Sequence, residues 1–323
     1  MIPIRDTLSS KNYPVVNTGI IGLNVLVYLI QMAQGGQEDR FIYIYGLVPA
    51  RYSVPHIASY FSIEQQLFSL ISFMFLHGGF WHLLGNMWSL YIFGDNIEDR
   101  LGSLQYLLFY LLCGLTSGLS HLLLNLNSNV PTIGASGAIA GVMGAYFLLF
   151  PKSRILTLIP ILLIPFFIEI PAYFYLGIWF LLQFLSAAGS HGGAGGIAWW
   201  AHIGGFISGM ILLKFFHILP DSGLTKHLRK VTEKRKTSRL QVIRTSGAGS
   251  DPHLYGVIQV TPWEAFSGAN KMVNIPWGFY NRTIRVQVPP NMKQGSIIRL
   301  KGMGRQMPEG LQGDLMLKVT IQS

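Results

Sequence analysis

The chain has 323 residues, of which 50% are hydrophobic and only 12% charged, and it carries a formal net charge of +10. Soluble domains hold roughly a quarter charged residues, so the depletion argues against a water-soluble enzyme or a nucleic-acid binder and for a polytopic membrane protein. A single cysteine, Cys113, excludes an intrachain disulfide and a thiolate zinc site.

Six apolar segments read as spans, in order 16–33, 80–97, 104–124, 134–150, 169–187 and 197–219. The first is long enough to remain as a span rather than be removed as a signal peptide. The 34–79 connection is aromatic (Phe41, Tyr43, Tyr45, Tyr52) and holds Pro49 and Pro55, which suits an interfacial segment. The 155–171 stretch is apolar but holds Pro160, Pro165 and Pro171, and it reads as a re-entrant or interfacial lead-in to the fifth span. Arg5 and Lys11 precede the first span, Arg100 follows the second, Lys152 and Arg154 follow the fourth, and a basic run follows the sixth. The 125–133 and 188–196 connections carry no charged residue. Lys and Arg mark cytoplasmic loops, so both termini are expected in the cytoplasm, and the expected location is a bacterial inner (plasma) membrane.

Composition changes near residue 220. Residues 220–250 are basic, then Gly/Ser-rich, and read as a linker. In 251–323, Tyr255–Val260, Thr283–Val288, Ser296–Leu300 and Leu315–Ile321 have strand character between Pro- and Gly-containing turns. The expected fold is therefore mainly α: a six-transmembrane-helix bundle over 1–219, the linker, and a small all-β cytoplasmic domain over 251–323.

Topology has a chemical consequence. Spans two, four and six all begin on the outer side, which brings His82 and Asn86, Ser136, and His202 to one depth. Ser136, Ala140 and Gly144 share a helical face flanked by Gly137 and Gly141, and His202, Gly205 and Gly209 share another. Small residues at this spacing let membrane helices approach closely, so Gly134, Gly137, Gly141, Gly205 and Gly209 read as packing support. A lone serine in a membrane helix is ordinarily a packing residue. An ionisable His202 facing the same glycine-lined surface marks function instead. Packed together, the two form a nucleophile and its base: His202 takes the proton as Ser136 attacks a carbonyl. Without a well-placed Asp or Glu, this is a dyad. The nearest membrane acid, Glu169, reads as interfacial. His82 and Asn86 lie one turn apart and offer donors for a developing oxyanion, together with the N-terminal amides of span four. The rival metal reading uses His77, His82 and His202 but has no carboxylate or thiolate to complete it. His77 is expected to hydrogen-bond loop carbonyls, and Glu98 with Arg100 to form an ion pair or helix-end cap. Trp81, Trp88, Trp199 and Trp200 read as interface anchors or packing residues, and His56, His121, His191 and His217 as interfacial or loop residues.

The set His77-x4-His82-x3-Asn86, Glu98-x-Arg100-x-Gly102, Gly134-x-Ser136-Gly137 and Ala201-His202-x-x-Gly205-x-x-x-Gly209 resembles the rhomboid intramembrane serine proteases over 16–219. The resemblance implies that Ser136 is the nucleophile and His202 the base, with His82, Asn86 and the Ser136 amide as the oxyanion hole. It also implies cleavage of transmembrane segments of other proteins without cofactor or metal. Two departures stand out. Ala140 occupies a position where some members stack a Tyr on the histidine, and Gln66-Leu67-Phe68 stands near where some carry a Trp-Arg pair. The tail is similar to the peptide-binding C-terminal domain of DnaJ-type co-chaperones. The matching residues are Leu254-Tyr255, Val260-Thr261-Pro262 with Glu264-Ala265 and Gly268, Val288-Pro289-Pro290, Arg299-Leu300-Lys301-Gly302 and Gly313-Asp314-Leu315. Neither a His-Pro-Asp tripeptide nor a cysteine-rich module occurs, so Hsp70 activation is not expected. Expected partners are transmembrane substrates, the bilayer, and unfolded segments or a second copy at the tail, with no nucleic acid. The alternative function is a non-catalytic binder of membrane helices in quality control. A transporter or channel would need paired charges or a repeat along its spans.

Overall fold

The computed structural model describes residues 1–8, 10–161, 164–189, 198–218, 223–232, 240–243, 245–246, 251–277, 280–305 and 312–321. They form two compact units, Met1–Glu233 and Lys234–Ser323. His191 lies outside the described residues, as do 233–239 and 247–250 of the expected linker.

The first unit runs β1 (Ile2–Asp6), α1 (Val15–Met32), α2 (Glu38–Tyr45), α3 (Pro55–Ala58), α4 (Ile63–Ser72), α5 (Phe80–Leu101), α6 (Ser103–Leu124), α7 (Ser136–Leu149), β2 (Arg154–Ile161), β3 (Ile164–Pro171), α8 (Ala172–Gly189), α9 (Trp199–Ile218) and α10 (Gly223–Thr232). Helices dominate because each closes its own backbone hydrogen bonds, which a hydrocarbon solvent requires. By length and apolarity, α1, α6, α8 and α9 are four candidate membrane spans, and α4 with α5, bent by 77° at a short break, makes up to five. The 14-residue α7 is apolar but shorter.

That short helix is the centre of the unit: every residue from Gly137 to Tyr146 is buried. Its glycines explain how. A Cβ at Gly205 would fall on the carbonyl oxygen of Gly137, one at Gly209 on that of Gly141, and one at Gly144 on that of Phe206. The backbones of α7 and α9 therefore touch directly, the close approach that small-residue faces allow. On its other side α7 meets α6, where Gly137 backs onto Ser117 and Gly141 onto Cys113.

Of the two roles expected for Glu98, the helix-end cap is the one it fills. It is 2% exposed. Its carboxylate accepts from the backbone N–H groups of Val16 (3.1 Å) and Asn17 (2.7 Å) and from Ser103 Oγ (2.6 Å). It caps α1 and holds the start of α6, compensating its buried charge with two unsatisfied helix-terminal donors. Arg100 instead contributes its carbonyl, which accepts from Arg229 of α10 at 3.0 Å. Helix α10 corrects the expected linker, since residues 223–232 belong to a helix of the first unit.

The 155–171 stretch is a β-hairpin. β2 pairs antiparallel with β3 from Arg154↔Pro171 to Ile161↔Ile164, and β1 adds to β2. Ile155, Thr157, Ile159, Ile168 and Ile170 supply β-branched residues along the ladder. Pro160 faces Pro165 next to the turn, where the lost donors matter least. Tyr146 of α7 and Asn96 of α5 donate to Asp6 Oδ2 at 2.6 and 2.8 Å, tying β1 to the bundle.

The second unit contains β4 (Leu240–Val242), β5 (Leu254–Val260), α11 (Pro262–Ser267), β6 (Ala269–Trp277), β7 (Tyr280–Val288), β8 (Ile297–Leu300) and β9 (Leu315–Ile321). They form two three-stranded sheets, β4-β6-β7 and β5-β9-β8. Alternation along β9 buries Leu315, Leu317 and Val319 against Ile258, Val273, Ile275 and Val286. The unit is not all-β. Thr261 and Glu264 close a reciprocal capping box with Pro262 at the first helical position, and this starts α11. Strands β4 and β6 were not anticipated from the sequence.

Candidate active site

Ser136 is the first residue of α7, and His202 lies one turn into α9. The glycine contacts between these helices bring Ser136 Oγ to 2.7 Å from His202 Nε2. Ser117 of α6 donates to the Ala201 carbonyl at 2.8 Å and so fixes the start of α9 against α6.

His82 and Asn86 approach from α5. The Gly78 N–H donates to His82 Nδ1 at 3.2 Å. That nitrogen therefore carries a lone pair, and the neutral ring holds its proton on Nε2. The Nε2 edge faces Gly134, where an added Cβ would lie 2.9 Å from it. Gly134 also takes φ +121°, so both backbone and space demand glycine there. Asn86 is 7% exposed, and among the described residues its Nδ2 has no hydrogen-bond partner. A buried donor without an acceptor costs roughly 1–3 kcal/mol, so such a group in a functional cleft is a reserved donor. The first N–H groups of α7 are likewise unsatisfied within the helix.

These groups share one cavity of about 560 Å³, lined by Ser136, His202, His82, Asn86 and Gln183 among others. Its walls include the apolar side chains of Phe73, Ile139, Met143, Trp179 and Trp199. A mostly apolar wall with a few convergent polar groups is the usual make-up of a binding or catalytic pocket.

Three neighbours of His202 were missed in the sequence. Gln183 of α8 lies with Oε1 2.7 Å from His202 Nδ1. Trp179, one turn earlier, lies 6.0 Å from the imidazole at 36°, and Trp199 meets it edge-on at 6.2 Å. Trp179 and Trp199 thus flank the ring that Ala140 leaves unstacked. The signal for Gln183 was its isolation in Leu-Leu-Gln-Phe-Leu: a polar side chain inside a membrane bundle needs a partner.

His77 is held mainly through its backbone. Its backbone N–H and carbonyl bond to Gln31 (3.1 and 2.6 Å), and both ring nitrogens are buried without partners among the described residues. Its ring centroid lies 5.2 Å from that of His82. No cluster of three His, Cys, Asp or Glu side chains suited to a metal occurs among the described residues.

Residues 64–218 match the rhomboid domain. The chain carries a rhomboid domain. The match begins in α4 and ends with α9, so it includes Ser136, His202, His82 and Asn86, and α1 precedes it. Residues 246–323 match the DnaJ C terminal domain. The rhomboid relatives include Rhomboid protein 1, mitochondrial, of Saccharomyces cerevisiae, 28% identical over 69% of this chain and 56% of that protein. RHOMBOID-like protein 6, mitochondrial, of Arabidopsis thaliana is 34% identical over 48% of this chain and 45% of its own length. Presenilin-associated rhomboid-like protein, mitochondrial, of Homo sapiens is 29% identical over 43% and 34% respectively. The chain thus spans between a third and just over half of these rhomboid relatives. All three are named as mitochondrial, so they lend no support to the expected bacterial inner membrane.

Proposed function

We propose that this chain is an intramembrane serine endopeptidase, which cuts peptide bonds in or near transmembrane segments of other proteins. The observation that carries this reading is the 2.7 Å contact between Ser136 Oγ and His202 Nε2 at the wall of a cavity that also holds an unpaired Asn86 amide. Ser136 Oγ attacks the carbonyl carbon, and its proton passes to His202 Nε2. The tetrahedral oxyanion accepts from Asn86 Nδ2–H, His82 Nε2–H and the first amides of α7, donors already oriented before charge develops. As the C–N bond breaks, the imidazolium returns its proton to the leaving amine. Water then attacks the acyl-serine by the same route in reverse, and the chemistry needs no cofactor.

In this reading the unit crosses the bilayer six times, through α1, α5, α6, α7, α8 and α9. The distribution of Lys and Arg puts both termini in the cytoplasm. A fluorophosphonate probe should label the parent protein and not Ser136→Ala, and only the parent should cut a single-span substrate in detergent. Equal cleavage by both proteins would remove Ser136 from the chemistry, and absence of cleavage and labelling in both would favour the non-catalytic binder.

The DnaJ C-terminal domain then serves as a docking site for unfolded segments, or for a second copy, on the cytoplasmic side. Removing 240–323 should slow cleavage of substrates with unfolded cytoplasmic tails by several-fold and spare those without them. Unchanged rates for both kinds would reduce the domain to a passive module.

A further inference from the structure

We infer that Gln183 is the positioning residue of His202, so that the Ser136–His202 pair is completed by a neutral amide where other serine hydrolases use a carboxylate. This rests on the reading of Ser136 and His202 as nucleophile and base.

The argument begins with which end of the amide faces the histidine. Gln183 Nε2 lies 3.4 Å from the Trp179 carbonyl oxygen. A carbonyl only accepts, so the NH₂ end of the amide is on that side and donates to it. Oε1 is left facing His202 Nδ1 at 2.7 Å. An amide oxygen also only accepts, so Nδ1 must carry the proton. In the neutral imidazole Nε2 is then unprotonated, and it receives the Ser136 hydroxyl proton across 2.7 Å. One line of donors therefore runs Ser136 O–H to His202 Nε2, His202 Nδ1–H to Gln183 Oε1, and Gln183 Nε2–H to the Trp179 carbonyl. Each link dictates the orientation of the next, and the base ends in the one tautomer able to accept from serine.

Placement on α8 makes the line rigid. Trp179 and Gln183 are four residues apart, so they share a helical face. The same turn anchors the amide and lays an indole beside the imidazole. Gln183 is 8% exposed, so water does not compete freely for Oε1. A neutral acceptor also suits the setting: it orients the base without adding a charge to a largely buried, mostly apolar wall, where an ion is expensive.

The test compares Gln183→Met, Gln183→Asn and Gln183→Glu with the parent and Ser136→Ala, using full-length protein, a single-span substrate and a pH series. Thermal midpoints and elution profiles confirm folding. Methionine keeps the volume and removes the acceptor. It should lower kcat on the order of 10–100-fold with KM little changed, a part of the 10²–10⁴ that a positioned base supplies. Asparagine withdraws the amide by one methylene and should resemble methionine, and it carries the comparison if the methionine variant does not fold. Glutamate keeps the acceptor in place and should restore most of kcat. Its carboxylate stabilises the imidazolium, so the acidic limb of its kcat profile should move to higher pH. A structural role alone would make glutamate, a buried charge, the worst variant and leave the limb where it was. Parent-like kcat for methionine and asparagine, with Ser136→Ala inactive, overturns the role of Gln183 and leaves the protease reading standing. Cleavage by Ser136→Ala overturns both.

Discussion

Replacing His202 by alanine should lower cleavage of a single-span substrate by on the order of 10⁴-fold or more, close to the loss from Ser136→Ala, while Asn86→Ala should cost about 10²–10³-fold. The ordering follows from what each group does. Without Nε2 at 2.7 Å, nothing within reach takes the Ser136 proton, and a neutral hydroxyl is a poor nucleophile. Two groups that act as one unit should fail together, so His202→Ala combined with Ser136→Ala should be no worse than either alone. Asn86 contributes only where negative charge appears. Among the described residues its Nδ2 has no partner, so truncation removes none of their hydrogen bonds. The loss should therefore fall on kcat with KM nearly constant. Initial rates over a substrate series in detergent read both quantities. A large rise in KM for Asn86→Ala would recast Asn86 as a substrate-binding residue.

Gly209→Leu should prevent stable folding of the membrane unit. The Cβ of any larger residue falls on the Gly141 carbonyl oxygen, and a backbone oxygen cannot rotate aside. Relief requires α9 to move off α7, which opens the Gly205–Gly137 contact one turn away and separates His202 from Ser136. The penalty should exceed the roughly 1–3 kcal/mol of ordinary overpacking, because several buried contacts are lost at once. Gly177→Leu on α8 is the control, since nothing lies within 4 Å of its added Cβ. Thermal unfolding in detergent should show a collapsed midpoint for the first variant and little change for the second. Comparable midpoints would mean that the helices can separate at low cost.

How much of this was legible beforehand depended on periodicity and exposure to hydrocarbon. The helices holding Ser136, His202, His82 and Asn86 are continuous apolar runs, so their boundaries lay within a few residues of the structure. Small residues on their contacting faces left a pattern at i and i+4. Gln183 left only a local oddity, because its partner is nineteen residues away on another helix and no periodicity links them. The 155–171 hairpin was obscured by its prolines, which read as helix breakers when they close a short ladder. Glu98 was legible as a helix-end cap, but which helix it caps was not, because its backbone donors lie more than eighty residues earlier. Helix α10 was hidden by a charge-rich composition. Strand β6 was missed although its burial alternates in part, with Met272 exposed between Lys271 and Val273.

The brevity of α7 has a meaning of its own. At about 1.5 Å per residue its 14 residues rise about 21 Å, against about 33 Å for the 22 residues of its neighbour α6. The roughly 12 Å difference must be made up at its ends, and the end that begins with Ser136 opens on the 560 Å³ cavity. The bundle has in effect exchanged two turns of one helix for a well. In the proposed protease reading hydrolysis consumes water, which hydrocarbon excludes, and the room left by a shortened central helix at Ser136 is where that water would be held.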